Sequence, residues 1–312
     1  MVTESALRGE IVVTDRASPP APAAVVPPAP VRRRRTGVLV GAAIALNVFL
    51  IAAWFLAYTF GLSAIQEQRT QRELYAPFRG ELAGAVAPIG GAIQPGRPVA
   101  TLVAPEVGLT QAVVIEGTSS GDLLNGPGHL RNTPLPGQAG VAVIMGRGAA
   151  AGAPFARISE FVKGDPISMT TGQGTFTYVV DDVRRAGDPL PSALEPGSGR
   201  IVLVTSEGAG WRSGWAPSGV VYVDATLDGL VQPAPAGRPI AVPKYELPMQ
   251  GDPTAWVPLV VWLQVGLVFA LAAIWARRRW GRWETWLVAV PVTVAVLWGA
   301  SENALQLLPN LL

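Results

Sequence analysis

The sequence of 312 residues contains no cysteine and only one histidine. Without cysteine there is no disulfide, no thiolate metal site and no thiol nucleophile, so burial alone must stabilise any folded domain. Charged residues are also scarce, at 15% of the chain, whereas 49% of the residues are hydrophobic. A wholly soluble protein of this size rarely has that balance, which predicts that part of the chain lies in lipid.

Three long apolar runs predict transmembrane helices. Residues 37–62 carry no charge and exceed the roughly 20 residues that cross the hydrocarbon layer. This run starts late and is long for the core of a secretory signal peptide, which is the competing interpretation. Residues 255–276 predict a second span. Residues 283–300 predict a third, but the run is short and contains Pro291, so a re-entrant or interfacial helix is its alternative.

Basic residues near the ends of these runs predict their orientation. Four arginines at 32–35 precede the first run, and the loop at 277–282 contains four more between the second and third. Cytoplasmic loops carry an excess of Lys and Arg, so both clusters are expected in the cytoplasm, with the residues between the first two spans outside it. The basic runs favour contact with the lipid bilayer, and the net charge of +2 gives no support for nucleic-acid binding.

The regions around the spans differ in composition. Residues 1–36 begin with an Ala- and Pro-rich stretch and predict a disordered cytoplasmic tail. Residues 63–96 start as a polar, helix-favouring stalk and end in a Gly- and Pro-rich linker. Residues 229–254 are rich in proline and predict a semi-rigid tether back to the membrane. Residues 301–312 are expected to form an external tail.

Residues 97–228 predict a mainly β domain outside the cytoplasm. Short apolar runs separated by turn residues predict seven strands, at 97–104, 110–116, 140–145, 165–171, 174–183, 200–206 and 219–227. The runs at 141–145 and 201–204 are continuously apolar, which is typical of strands buried on both faces.

Two short helices are predicted between these strands. Residues 153–161 place Phe155, Ile158 and Phe161 near one face of a helix that would pack on the sheet. A further turn of helix is predicted at 121–124.

Several motifs follow one another in a recognisable order. The sequence EGT ends at Thr118, GPGH ends at His129, and GAPFARISEFVKGDPISMTT occupies residues 152–171. In this order they resemble the sortase family over about 130 residues, in particular the class E-like sortases of actinobacteria. The resemblance implies a sortase-like β-barrel with short helices, here joined to three transmembrane α-helices.

The resemblance also implies three catalytic groups, and this sequence departs from the family at each of them. Arg147 follows the strand at 141–145, where the family has its histidine, and a guanidinium stays charged near neutral pH. Ser206 follows the strand at 201–204, where the family has its nucleophilic cysteine, and a hydroxyl needs an adjacent base. The next strand lacks the expected arginine, although Arg212 lies in the loop before it and is a possible oxyanion group. No catalytic residue is therefore expected.

Two other residues could be proposed as the missing base. His129 belongs to the GPGH turn, which the family keeps separate from its catalytic histidine, so a structural role is expected. Glu207 adjoins Ser206, but neighbouring side chains on a strand point in opposite directions.

Trp211 and Trp215 flank Arg212 in a loop rich in glycine. Exposed indoles beside an arginine favour a contact surface for a peptide, a glycan or a partner. Closure of the barrel or contact with lipid is the alternative role for this pair.

The leading hypothesis is a catalytically inactive, membrane-anchored sortase-like protein that binds an envelope protein, a sorting-signal peptide or an active sortase. Its binding residues would be Arg147, Ser206, Trp211, Arg212 and Trp215. An extended peptide can be held by main-chain hydrogen bonds and side-chain pockets without a nucleophile. The alternatives are an active transpeptidase or hydrolase that uses Ser206, and a structural subunit of a membrane complex. No cofactor and no metal are expected.

Overall fold

The computed structural model describes residues 33–208, 217, 219–279 and 281–312. The chain divides into two compact units, Met1–Val48 and Phe49–Leu312. Among the described residues, the first unit contains the beginning of helix α1 (Arg33–Ala57). The second unit contains the β domain and the remaining helices.

Three helical stretches have the length and the apolar composition needed to cross a membrane: Gly37–Ala83, Pro253–Arg279 and Trp283–Gln306. The first consists of α1, a π-helical turn (Tyr58–Leu62) and α2 (Ser63–Ala83). The others correspond to α3 (Trp256–Arg279) and α4 (Arg282–Gln306). The three apolar runs of the sequence are thus helical, and α4 continues through Pro291 beyond the predicted end of its run.

Gln71 in the polar part of the first helix hydrogen-bonds to the β domain through both ends of its amide group. Nε2 of Gln71 donates hydrogen bonds to the carbonyl oxygens of Asn125 at 2.7 Å and Val113 at 3.1 Å. The amide of Val113 in turn donates to Oε1 of Gln71 at 2.7 Å. Since Gln71 uses both ends of its amide group, α2 is held in a defined position beside the barrel.

Eight strands form a closed barrel in the order β1-β2-β3-β4-β7-β8-β6-β5. The strands are β1 (Pro98–Ala104), β2 (Leu109–Glu116), β3 (Gly128–His129), β4 (Gly140–Met145), β5 (Pro166–Thr171), β6 (Gly174–Arg185), β7 (Gly199–Glu207) and β8 (Gly219–Asp228). Seven of them match the predicted strands to within a few residues. β3 was not predicted, because two residues are too few to show an alternating pattern.

Strands β4 and β7 pair in parallel, with Met145 opposite Val204. On one face of the pair, residues such as Ile144 and Leu203 belong to the barrel core. On the other face, Met145, Val202 and Val204 lie in a second apolar cluster that also contains Leu311. The continuous apolar runs therefore correspond to strands covered on both faces, as predicted.

The prediction of an α-helix at 153–161 is wrong, but the prediction that this segment packs on the sheet is confirmed. The segment contains only one short 3-10 turn, Ile158–Glu160. Residues 151–153 have positive φ angles, so the chain cannot continue as a right-handed helix into this segment. Phe155, Ile158 and Phe161 are nevertheless buried in the barrel core, as a spacing of three residues allows in a 3-10 turn.

The Pro-rich linker contacts the barrel before it reaches α3. The carboxylate of Glu246 is buried and pairs with both the Nε and Nη2 groups of Arg131. The hydroxyl of Thr118 donates to the backbone carbonyl of Glu246 at 2.7 Å. Val242 and Met249 pack against the second apolar cluster. The linker is thus docked on the barrel at this point.

Removing Arg131 should test the strength of this docking. In Arg131→Met the buried carboxylate of Glu246 loses its charged partner, which should lower the free energy of unfolding by about 3 kcal/mol and the melting temperature by roughly 6 to 12 °C. Thermal unfolding of the full chain, followed by circular dichroism, measures the change. Arg157→Met is the matched control, since Arg157 pairs with Glu160 at the exposed surface and its loss should have little effect. Equal effects of the two substitutions would contradict this assignment.

Candidate functional site

The parallel pairing of β4 and β7 places Arg147 and Ser206 at one edge of the sheet. The ladder ends with the pair Met145 and Val204, and each candidate residue follows two positions later. The amide of Gly146 still donates to the carbonyl of Val204 at 3.0 Å. Residues 147 and 206 therefore lie at the same edge of the sheet.

Arg147 is completely buried. Its Nη2 group donates to the backbone oxygen and to the hydroxyl of Ser120, both at 2.8 Å, and Nη1 lies 3.5 Å from the carbonyl oxygen of Leu312. Among the described residues, Nε has no hydrogen-bond partner and no Asp or Glu side chain forms an ion pair with the guanidinium. Burial in this setting lowers the pKa of Arg147 to about 9, so the side chain is still charged at neutral pH.

The hydroxyl of Ser206 donates to the carbonyl oxygen of Leu311 at 2.6 Å. The same oxygen accepts the amide N–H of Gly148 at 2.9 Å. Gly148 must be glycine here, because a Cβ atom at this position would lie 2.8 Å from the backbone oxygen of Ser206. Two donors therefore converge on one carbonyl oxygen, the arrangement that stabilises a carbonyl group or an oxyanion.

His129 does not serve Ser206. Its Nε2 atom lies 2.9 Å from the carbonyl oxygen of Pro134, to which it can only donate, and its Nδ1 atom lies 2.8 Å from Oε2 of Glu116. The ring is 1% exposed, between β2 and β4. Both nitrogens are used in fixing the GPGH turn, so a structural role fits the geometry.

Glu207 is also engaged elsewhere. Nη2 of Arg185 donates to its Oε1 atom at 2.8 Å, and Nε donates to Oε2. The hydrogen bonds from Arg185 hold the pKa of Glu207 below its usual value, which makes the carboxylate a weaker base. Trp211, Arg212 and Trp215 lie outside the described residues.

Sequence reasoning missed several residues that contact this site. Arg147 donates a hydrogen bond to the hydroxyl of Ser120, which in turn donates to the carbonyl oxygen of Leu308. The amide of Ala150 donates to the backbone oxygen of Leu312. One signal was available in the sequence. Residues 307–312 contain four leucines, Leu307, Leu308, Leu311 and Leu312, which is unusual for a solvated tail.

Comparisons with known proteins agree with the barrel and its motifs. Residues 102–212 match the family model of the sortase domain. Among solved structures, the chain is similar to sortase E of Streptomyces avermitilis, with 32% identity over 47% of this chain and 97% of the other, at a TM-score of 0.37. The sortase D5 transpeptidase of Clostridium perfringens has 24% identity over 52% of this chain and 98% of its own, at a TM-score of 0.41.

A third similar structure is sortase A of Corynebacterium diphtheriae, with 21% identity over 55% of this chain and 94% of its own, at a TM-score of 0.37. The chain has no match among curated proteins. The family match spans strands β2 to β7 and includes both Arg147 and Ser206. The chain therefore contains a sortase domain.

Proposed function

We propose that this chain is a membrane-anchored, class E-like sortase homologue of actinobacterial type that binds an envelope peptide or protein at the cell surface without cleaving it. Arg147 and Ser206 would form the centre of the binding cleft. Trp211, Arg212 and Trp215 would contribute from the neighbouring loop. The orientation would place the barrel outside the cytoplasm and the basic loop between α3 and α4 inside it.

The observation that carries this proposal is the environment of the Ser206 hydroxyl. A serine nucleophile needs a base that accepts its proton, but this hydroxyl donates to the carbonyl oxygen of Leu311, which cannot take the proton away. By the resemblance of the motifs, Arg147 would stand where a sortase has its histidine, and its guanidinium remains protonated at neutral pH. Among the described residues, Ser206 has no hydrogen bond to a histidine, a lysine or a carboxylate.

The hydrogen-bond donors at this site are suited to binding the main chain of a peptide. The amides of Gly148 and Ala150, the Ser206 hydroxyl and the Arg147 guanidinium all point to backbone carbonyl oxygens, those of Leu311 and Leu312. Such donors recognise the main chain of a peptide and do not require a nucleophile. Sortases act on the sorting-signal peptides of envelope proteins, so a peptide of this class is the proposed ligand, and an envelope protein or an active sortase is the proposed partner.

A structural subunit of a membrane complex is the second candidate. It is favoured by the filled state of the cleft, where the donors already have acceptors within the chain. In that case the apolar helices would make the functional contacts and the barrel would act as a spacer.

Binding and cleavage can be measured together on the full chain. We expect a labelled sorting-signal peptide, validated as a substrate of an active sortase E in parallel, to bind saturably to the full chain in detergent micelles without giving product, because no group activates Ser206. Ser206→Ala should then leave the absence of turnover unchanged, and Ser198→Ala is a matched control in an exposed loop. Turnover that Ser206→Ala abolishes would overturn the proposal. Neither binding nor turnover would favour the structural subunit.

Restoring the two missing groups should restore part of the chemistry. In the double variant Arg147→His/Ser206→Cys, a thiol that ionises near neutral pH and an imidazole that transfers protons stand at the two positions. We expect slow cleavage of the same peptide by the double variant and none by either single variant. Product analysis by mass spectrometry checks this. Without any gain, the cleft would not present a peptide bond to residue 206.

The orientation can be tested because the chain has no native cysteine. Leu190 is 84% exposed in the loop between β6 and β7, and Arg278 lies in the basic end of α3. We expect Leu190→Cys to react with a membrane-impermeant maleimide on intact cells, and Arg278→Cys to react only after the membrane is opened. The reverse pattern would place the barrel in the cytoplasm.

A further inference from the structure

The chain after α4 turns back onto the barrel. The amide of Asn310 donates to the carbonyl of Gln250 at 2.8 Å, and the amide of Leu312 donates to the carbonyl of Pro309 at 3.1 Å. The second hydrogen bond closes a turn whose central residues are Asn310 and Leu311. Proline at the first position of this turn fixes its φ angle and reduces the entropy lost on ordering the segment.

Two buried side chains anchor the turn. Leu311 is 0% exposed and lies in the second apolar cluster, on the face of β4 and β7 that points away from the barrel core. Nδ2 of Asn310 donates to the carbonyl oxygens of Thr118 at 2.8 Å and Leu247 at 3.0 Å. The turn therefore contacts the strands, the EGT motif and the docked linker.

Backbone oxygens of the same segment accept hydrogen bonds from the polar groups of the candidate site. The carbonyl oxygen of Leu311 accepts from Gly148 and Ser206, as described above, and that of Leu312 accepts from Ala150 at 3.2 Å. The carbonyl oxygen of Leu308 accepts the hydroxyl of Ser120 at 3.0 Å. Three of the donors that the proposed function assigns to peptide binding, the amides of Gly148 and Ala150 and the hydroxyl of Ser206, are thus occupied by Leu311 and Leu312.

We propose that residues 308–312 are a built-in occupant of the cleft, and that an external peptide binds only after this segment has left. The inference rests on the proposed function, since it concerns access to the same site. A donor that already serves an acceptor within the chain cannot serve a second one at full strength. The apparent affinity for an external peptide is then reduced by the fraction of molecules in which the segment is displaced.

The fit of the segment is incomplete, which makes displacement feasible. Oδ1 of Asn310 is buried without a hydrogen-bond partner among the described residues, as is Nε of Arg147. The contact from Nη1 of Arg147 to Leu312 is long, at 3.5 Å. Unsatisfied buried polar groups destabilise the closed state relative to one in which water or another ligand reaches them.

The absence of native cysteine allows a direct test in the full chain. In Ser206→Cys the introduced thiol is the only one, and it lies under the Leu311 carbonyl, so a maleimide reagent should modify it slowly. Adding Leu311→Asp should release the segment, because an aspartate in the apolar cluster is strongly disfavoured, and should accelerate modification by about tenfold or more. Leu230→Asp is the matched control, since Leu230 is 88% exposed, and should leave the rate unchanged.

Peptide binding is measured beside thiol reactivity, on chains with the native Ser206. We expect Leu311→Asp to bind the labelled sorting-signal peptide about tenfold or more tightly than the native chain. A thiol that reacts no faster in Leu311→Asp overturns the inference, whatever the peptide does. Equal peptide affinity of the two chains also overturns it. A faster thiol together with no peptide binding by either chain would support the internal occupant and refute the proposed function.

A milder substitution keeps the test decisive if Leu311→Asp disturbs folding. Asn310→Ala removes the two hydrogen bonds to Thr118 and Leu247 but keeps the apolar contacts of Leu311. It should increase thiol reactivity in the Ser206→Cys background by a smaller factor, with an unchanged thermal midpoint of the barrel. No increase in Asn310→Ala, in a folded chain, would count against the occupant.

Discussion

The parallel pairing of β4 with β7 is the constraint on which the site depends. In a parallel pair both strands end at the same edge, so the residues that follow them must share one location. Arg147 and Ser206 each lie two residues beyond the last β4–β7 pair, Met145 and Val204. Any change in this register would separate the two residues and move the outer apolar face of both strands away from Leu311.

A buried guanidinium that pairs with no Asp or Glu side chain among the described residues is the unusual element of this site. Arg147 is held by the backbone oxygen and the hydroxyl of Ser120, which carry no net charge, and its Nη1 group lies 3.5 Å from a backbone oxygen of Leu312. These contacts offset part of the desolvation cost of the guanidinium, and its burial lowers the pKa of Arg147. The backbone oxygen of Leu312 is therefore part of the surroundings of the buried Arg147 guanidinium. Displacing residues 308–312 would remove this contact.

The outer face of the barrel is contacted by segments that adjoin the long apolar helices in the sequence. Glu246 in the linker pairs with Arg131, and Leu311 after α4 packs on β4 and β7. Gln71 in α2 hydrogen-bonds to β2 and to the loop before β3. Three connections to the apolar helices thus meet the barrel on or near the motifs that carry the family match.

Much of this architecture was determined by the sequence itself. Alternating and continuous apolar runs located seven of the eight strands, because burial on one or two faces leaves a regular pattern along the chain. The apolar runs located the three long helices, and the motifs predicted Arg147 and Ser206 as candidate residues of one site. Only the tertiary structure decided what occupies that site. Leu311 and Asn310 are more than 100 residues from Ser206 in the chain, and hydrogen bonds between such distant backbone groups leave no periodic or local signal in a sequence.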